Sequence, residues 1–186
     1  LTIAAGNALL AAVAAVVPEF ATELRLKWPN DLVLGRDPAT ARKVAGILAE
    51  SSLHSDGTLA NAVLGIGINV NQQPSDLPRI APPTPRPTSL RVASGRVINR
   101  SALLIELCQR LALELTLSPA ESYRQWKTHL ATLGQHVAVY ANGPEQPATL
   151  TGQAIDAQQD GALIVLDDSG TLHTFYAADV SIRATR

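Results

Sequence analysis

The chain changes character at Gly134, and this change restricts the folds that it can adopt. Beyond it come five short segments with the composition of β-strands, at residues 137–140, 148–155, 162–166, 171–176 and 180–183. Gly143, Gly161 and Gly170 lie in turns between them. Short strands separated by glycine-containing turns are typical of a small barrel. We therefore predict two domains, at residues 1–133 and 134–186.

The first domain is predicted to begin with a helix. Leu1 to Val17 is almost wholly apolar and ends before Pro18. It has no basic residue at its start, and it is shorter than the ~20 residues that cross a membrane. We interpret it as a buried core helix, with a membrane or export segment as the alternative.

A long helix is predicted from a cap at Asn99 or Ser101 to about Leu117, and another helix from Pro119. Five side chains of the long helix share one face, which we expect to be buried: Leu104, Leu107, Cys108, Leu111 and Leu115. Cys108 is then a small core hydrophobe. Because it is the single cysteine, an internal disulfide and a cysteine-rich zinc site are excluded, and we expect a reducing, cytoplasmic location.

Strands are predicted at residues 23–28, 32–34 and 43–51, in a hairpin arrangement. Residues 59–70 form a near-continuous apolar run, which is typical of a central strand covered on both faces. Half of the twelve prolines stand between Pro74 and Pro87, so this segment is predicted to be a loop. The fold class is therefore α+β.

Composition narrows the functional classes. A chain with 46% hydrophobic and 17% charged residues is globular, and its net charge of −1 does not favour a nucleic-acid partner. The four histidines lack metal-ligand spacing, and neither a Gly-x-Ser-x-Gly elbow nor a Walker sequence is present. The chain opens at Leu1 and contains no methionine, so we expect a processed N-terminus or a fragment.

Three segments carry candidate binding residues. In the first, Lys27, Asn30 and Asp31 bring a cation, an amide and a carboxylate together around the stiff Pro29. Lysine can bind phosphate oxygens, and the amide or carboxylate oxygens can hold Mg²⁺ directly or through water. The alternative is a simple Asn-Asp turn beside a surface lysine.

The other two segments flank buried strands. Lys43 starts an apolar strand, where it can lie beside a reacting anion or simply protect a strand edge from aggregation. Gly65 and Gly67 place no side chain between the backbone and a ligand, and Asn69 offers a donor and an acceptor to a heterocycle. A Gly-x-Gly pair alone is a weak signal.

Taken in order, the three motifs resemble those of biotin protein ligases, the biotin–[acetyl-CoA-carboxylase] ligase family: Lys27-Trp28-Pro29-Asn30-Asp31, Arg42-Lys43-Val44-Ala45-Gly46-Ile47-Leu48 and Gly65-Ile66-Gly67-Ile68-Asn69-Val70-Asn71. The later helices and C-terminal strands extend the resemblance to nearly the whole chain. It implies a mixed-sheet ligase core of the class II synthetase type at residues 1–133, followed by an SH3-like barrel at 134–186.

The resemblance also implies a reaction and a set of roles. Such enzymes join biotin to ATP, releasing pyrophosphate, and transfer biotin from biotinyl-5′-AMP to a lysine of a carboxylase biotin carrier domain. Lys43 then contacts the biotin carboxylate and the α-phosphate as the catalytic residue, and Gly65 and Gly67 form a wall of the biotin pocket. The nucleotide-binding residues are then Lys27, Asn30, Asp31, Asn69 and Arg183. Of these, Asn30 and Asp31 also hold Mg²⁺, directly or through water. Neither a nucleic acid nor a membrane is implied as a partner.

The sequence departs from this family at its start. Biotin ligases carry an Arg- and Gly-rich loop and further strands upstream of the first helix, and this sequence contains neither these nor a helix-turn-helix. We therefore expect the 186-residue chain to make little biotinyl-AMP and to expose apolar surface on residues 59–70 and on the opening helix. A non-catalytic nucleotide-binding or protein-interaction remnant is the alternative, and a lipoate ligase is a weaker one.

Overall fold

The computed structural model describes residues 1–38, 40–78, 86–140 and 147–176, together with the backbone of residues 181–184. Its α-helices are α1 (Thr2–Val16), α2 (Leu90–Ser94), α3 (Arg100–Glu114) and α4 (Pro119–Thr128). Its strands are β1 (Leu24–Lys27), β2 (Asp31–Leu34), β3 (Arg42–Leu53), β4 (Leu59–Ile68), β5 (His136–Tyr140), β6 (Leu150–Ala157), β7 (Leu163–Asp167), β8 (Leu172–Phe175) and β9 (Ser181–Ala184). Single 3-10 turns lie at Pro18–Phe20 and Pro74–Asp76.

The first sheet has the order β1-β2-β3-β4, and each neighbouring pair is antiparallel. The predicted hairpin is confirmed. The prediction of a mixed sheet is wrong for the described residues. Their only parallel pairings are two isolated bridges, Leu26 with Leu130 and Lys43 with Pro87. The physical reason is that short connections join successive strands, whereas parallel neighbours need long crossovers.

Strand β4 lies at the edge of this sheet in the described structure, so the prediction of a central, covered strand is wrong. Leu59 and Val63 are 62% and 61% exposed. Strand β2 pairs with β3 only as far as Gly46, so the remainder of β3 and its partner residues in β4 form a two-stranded extension. Apolar composition indicated a strand correctly, but it carried no information about what covers that strand.

Helix α1 lies in the core, as predicted. It packs against α3 and α4 and against β1, β2 and β3. Ala5, Ala8 and Ala12 have no exposed surface, because their small side chains allow the neighbouring elements to approach closely. The expectation that this helix exposes apolar surface is therefore wrong. No helix within the described ranges has the length and apolar character needed to cross a membrane.

Helix α3 begins where the sequence predicts, with the Asn99 side chain accepting a hydrogen bond from the Ala102 N–H at 3.0 Å. Its buried stripe contains Leu103 and Leu107, whereas Leu104, Cys108 and Leu115 are exposed. The predicted burial is confirmed for Leu107, and Leu111 is partly buried against the core, but the prediction is wrong for Leu104, Cys108 and Leu115. Leu103, not Leu104, lies in the core. Adjacent residues of an α-helix point about 100° apart, so the buried stripe is rotated away from the predicted one.

Strands β5 to β9 correspond to the five predicted C-terminal strands. They form a second antiparallel sheet in the order β8-β7-β6-β5-β9. No pairing of β8 with β9 is seen among the described residues, so the SH3-like barrel and the boundary at residue 134 stay predictions. Buried side chains of this sheet, such as Val139 and Ala157, belong to the same hydrophobic cluster as α1.

Parts of two predicted loops fall outside the described residues. Residues 79–85 of the Pro-rich segment and the turn at Asn142-Gly143-Pro144 are among them. The short helix α2 follows the Pro-rich segment, and the Ser89 hydroxyl accepts a hydrogen bond from the Val92 N–H at 3.0 Å at its start.

Candidate functional site

The segment between β1 and β2 brings polar side chains to one end of the first sheet. Lys27 and Asp31 lie opposite each other in the antiparallel ladder. Between them, the Asn30 Nδ2 group donates to the Ile47 carbonyl at 2.6 Å, and the Ile47 N–H donates to the Asn30 carbonyl at 2.9 Å. Asn30 is thereby tied to β3 by two hydrogen bonds, and its amide oxygen is the side-chain atom left to face a ligand.

Lys43 reaches this segment from β3. Its Nζ lies 2.5 Å from Asp31 Oδ1, and the two side chains are 37% and 13% exposed. Gly46 makes this contact possible, because a Cβ at that position would lie only 3.1 Å from Lys43 Nζ. The register between β2 and β3 shifts after Leu32, and such a bulge redirects a side chain. The result is a half-exposed amine held by a nearly buried carboxylate.

Lys27, Asp31, Gly46 and Gly67 form one row of paired residues across all four strands of the sheet. Paired residues of antiparallel strands share a face, so the two charged side chains rise from the face on which Gly46 and Gly67 leave the backbone bare. Gly65 shares that face because it precedes Gly67 by two residues. We refer to Gly46, Gly65 and Gly67 as the glycine floor.

Asn69 is joined to Lys43 through Thr88. The Thr88 N–H donates to the Lys43 carbonyl at 2.8 Å, and Asn69 Nδ2 donates to the Thr88 carbonyl at 3.0 Å. The Asn69 backbone N–H donates to Val44. Thr88 is 2% exposed, so this connection is fixed within the protein. The Asn69 amide nitrogen is thus used within the protein, and its Oδ1 is an acceptor by chemistry.

A cleft of about 200 Å³ opens at the end of this arrangement, between the start of α1, the β1–β2 segment and α4. Its lining consists of Thr2, Gly6, Leu26, Lys27, Pro29, Asn30, Asp31, Ile47 and Trp126. Three predicted site residues therefore share the cleft, and Lys43 adjoins it through Asp31. The space enclosed within the cleft is about 10 Å³, enough for about one water molecule and far below the ~300–1,000 Å³ typical of small-molecule sites.

The structure thus brings together most of the predicted site residues. Arg183 lies opposite Ala138 in the ladder of β5 and β9, but its side chain is outside the described residues. Sequence reasoning missed Gly46 and Thr88. A glycine inside a strand signals close backbone approach and could have identified Gly46, whereas nothing local marks Thr88. Within the described ranges, no group of three His, Cys, Asp or Glu side chains forms a metal site.

Comparison with known proteins identifies similar families, sequences and structures. Residues 7–69 match the Biotin/lipoate A/B protein ligase family. The chain is 32% identical over 182 residues to the bifunctional ligase/repressor BirA of Bacillus subtilis, covering 94% of this chain and 52% of that protein. It is 33% identical over 184 residues to a biotin–[acetyl-CoA-carboxylase] ligase of Mycobacterium tuberculosis, covering 97% and 61%.

Solved structures show the same fold. Biotin protein ligase from Aquifex aeolicus in complex with biotin and ATP has a TM-score of 0.68 and 24% identity, covering 98% of this chain and 72% of that one. The architecture is therefore that of a biotin protein ligase catalytic core. Residues 7–69 therefore carry a domain of the Biotin/lipoate A/B protein ligase family, which confirms the resemblance read from the motifs. It spans about half the length of the first curated relatives.

Proposed function

We propose that this chain carries the catalytic core of a biotin protein ligase. The observation that carries the proposal is the Lys43 amine, held 2.5 Å from Asp31 beside the glycine floor. The relatives in Bacillus subtilis and Mycobacterium tuberculosis are named as ligases, and the Aquifex aeolicus neighbour binds biotin and ATP. The reaction activates biotin with ATP and transfers it to a lysine of a carboxylase biotin carrier domain.

Activation joins two anions, and this sets what the site has to provide. A carboxylate oxygen of biotin attacks the α-phosphorus of ATP, the bond to the β-phosphate oxygen breaks, and pyrophosphate leaves. Negative charge accumulates on the α-phosphoryl oxygens, so a cation beside them stabilises the transition state. Lys43 supplies that charge, and Lys27, which lies in one row of the sheet with Asp31 and Gly46, binds the departing phosphates.

In the transfer step, the amine of the carrier lysine attacks the acyl carbon of biotinyl-5′-AMP, and AMP leaves. The glycine floor allows the ligand to approach the backbone, because Gly67 has no atom within 4 Å of the position of a Cβ. Exclusion of water protects the mixed anhydride from hydrolysis. The partner in this step is the carrier domain of acetyl-CoA carboxylase or a related carboxylase.

The residues present fit a magnesium ion brought in by ATP. Mg²⁺ prefers oxygen ligands and is commonly held by one or two protein oxygens together with substrate phosphates. Asn30 Oδ1 and Asp31 Oδ2 provide such oxygens, since Asn30 Nδ2 bonds Ile47 and Asp31 Oδ1 contacts Lys43. When bound, the ion neutralises phosphate charge.

The second sheet completes the proposal. We assign residues 134–186 as the SH3-like domain of the ligase, and the resemblance to the family suggests Arg183 as a nucleotide-binding residue of this domain. The glycine-containing turns and the antiparallel order of β5 to β9 support this assignment. We expect the enzyme to act in the cytoplasm, because a chain with a single cysteine has no internal disulfide to be maintained by an oxidising compartment.

The test is formation of biotinyl-AMP and labelling of a carrier domain. Two proteins are compared: the 186-residue chain, and a completed version that is extended at its N-terminus by the Arg- and Gly-rich loop and strands of biotin ligases. Each is incubated with biotin, MgATP radiolabelled at the α-phosphate, and a biotin carrier domain. We expect the completed version to form biotinyl-AMP and to label the carrier, as detected with streptavidin. Absence of both products from the completed version would contradict the proposal, and lipoyl transfer in a parallel reaction would favour a lipoate ligase.

Asn69 provides a prediction about nucleotide choice. Asn69 Nδ2 donates to the Thr88 carbonyl, and in the proposed complex Asn69 Oδ1 accepts from the 6-amino group of adenine, whereas guanine presents an acceptor at that position. We expect Asn69→Ala to weaken ATP binding by roughly 1–3 kcal/mol and to reduce the preference for ATP over GTP. Calorimetry with both nucleotides measures the two effects.

Asn71 offers a matched control on the same segment. Its Nδ2 donates to the Ile98 carbonyl at 2.8 Å, and its Oδ1 accepts from the Ile98 N–H at 2.9 Å, so both amide atoms serve the fold. Asn71→Ala is expected to lower stability and to leave the ATP-to-GTP preference unchanged. Equal preference in the parent and in Asn69→Ala would remove Asn69 from adenine recognition.

A further inference from the structure

Trp28 stands inside the first motif, and the proposed reaction gives it no role. It is 1% exposed. Its backbone N–H donates to Thr132 Oγ1 at 2.9 Å, and its indole Nε1–H donates to the Gly161 carbonyl at 2.9 Å. Gly161 lies in the turn between β6 and β7, so a residue of the first sheet is hydrogen-bonded to a turn of the second.

We propose that Trp28 is a positioning residue, through which the β6–β7 turn holds residues 29–31 in place for MgATP. The inference rests on the proposed function only for the identity of the ligand. Residues 29–31 follow Trp28 directly, so displacement of its ring moves the Asn30 and Asp31 side chains with it. The second sheet thereby takes part in nucleotide binding through a contact that does not itself touch the nucleotide.

The anchoring of the segment supports this role. Pro29 has no backbone N–H, so it cannot donate a hydrogen bond that would fix the segment. The segment is held on one side by the paired hydrogen bonds between Asn30 and Ile47. On the other side it is held by Trp28, through Thr132 and Gly161. Loss of the Gly161 contact leaves Trp28 with hydrogen bonds of its backbone alone, from its N–H to Thr132 Oγ1 and from Lys27 Nζ to its carbonyl.

The acceptor is also specifically oriented. Gly161 has a φ of +93°, a conformation that residues with a side chain rarely adopt. The Gly161 N–H donates to the Gln158 carbonyl at 2.9 Å and closes the turn. The turn therefore directs the Gly161 carbonyl at the indole, and a change at either residue breaks the same hydrogen bond.

Other contacts between the two parts of the chain serve as controls. Tyr123 Oη donates to the Ala157 carbonyl at 2.5 Å, so α4 is also joined to β6 by an aromatic side chain. Tyr123→Phe removes one hydrogen bond across the same boundary, as Trp28→Phe does, but far along the chain from residues 29–31. On the turn side, Gly170 has a φ of +86° and, like Gly161, no atom within 4 Å of a Cβ position. Gly170→Ala therefore matches Gly161→Ala.

The experiment measures amide hydrogen exchange in residues 30–47 and MgATP affinity in the 186-residue chain. We expect Trp28→Phe and Gly161→Ala to accelerate exchange of the Ile47 amide, whose acceptor is Asn30, by about tenfold and to weaken MgATP binding several-fold. Tyr123→Phe and Gly170→Ala are expected to leave both quantities near the parent values. Thermal midpoints of all four variants show whether losses of global stability are comparable.

The outcomes separate the inference from the proposed function. Parent-like exchange in Trp28→Phe and Gly161→Ala overturns the inference, as does equal acceleration in the control variants. Faster exchange confined to the two test variants supports it. If that acceleration occurred without any change in MgATP binding, or if the parent bound no MgATP, the positioning contact would stand and the nucleotide role of residues 29–31 would fail.

Discussion

Lys43→Ala is expected to lower the rate of biotinyl-AMP formation by ~10²-fold or more in the N-terminally completed enzyme. The reason is that the Lys43 amine is the cation nearest the glycine floor, where the carboxylate and the α-phosphate meet in the proposed reaction. Release of pyrophosphate from ATP and biotin measures the rate. Lys43→Gln retains much of the side-chain length, so a similar loss in this variant assigns the effect to charge.

Lys127 supplies a closely matched control for Lys43. Its Nζ lies 2.5 Å from Asp156 Oδ1, and its side chain is 37% exposed, as that of Lys43 is. The hydrogen bond between them raises the pKa of Lys127 and lowers the pKa of Asp156, so both are charged at neutral pH. Lys127→Ala removes an equivalent ion pair outside the cleft and is expected to change the rate only slightly. A Lys43→Ala rate equal to that of Lys127→Ala would remove Lys43 from the mechanism.

Gly152→Ala is expected to lower the free energy of unfolding by about 2–3 kcal/mol. Gly152 lies in β6 between Val137 of β5 and Asp167 of β7. A Cβ there would overlap the Leu166 carbonyl oxygen and the Asp167 Cα, which are backbone atoms of a paired strand. The strands can separate only by weakening their ladder. Urea unfolding, followed by circular dichroism, measures the loss.

Gly67→Ala is the control for this stability prediction. Gly67 is also a strand glycine without a positive φ, but no atom lies within 4 Å of its Cβ position. Its free energy of unfolding is expected to stay within about 0.5 kcal/mol of the parent. If Gly152→Ala were equally mild, the close approach of β6 and β7 would not be a determinant of stability.

Local chemistry made much of the fold predictable. The Asn99 and Ser118 caps identify the starts of α3 and α4, because a cap acts within one turn of the chain. The strands of both sheets lie close to their predicted positions, because alternation of residue types and the turn residues between strands are also local signals. The three motifs pointed to Lys27, Asn30, Asp31, Lys43 and Asn69 before any spatial arrangement was known.

Failures occurred where a neighbour distant in sequence decides the outcome. The exposed Cys108 lies on an apolar face that α1 does not cover, and periodicity alone cannot tell which stripe of α3 meets another helix. Leu59 and Val63 are exposed because β4 lies at an edge in the described structure, although their residue types favour burial. Hydrophobic pattern reports the type of element, whereas coverage depends on packing.

By itself, the sequence determined the kinds of element, their order and the family, since these depend on neighbouring residues and on motifs that can be read in one dimension. Tertiary structure decided that Lys43 is paired with Asp31, that Thr88 joins Asn69 to Lys43, and that Trp28 contacts Gly161. The last two partners are 133 residues apart. No local pattern encodes such a contact, because its energy exists only after packing of the whole chain brings donor and acceptor within hydrogen-bond distance.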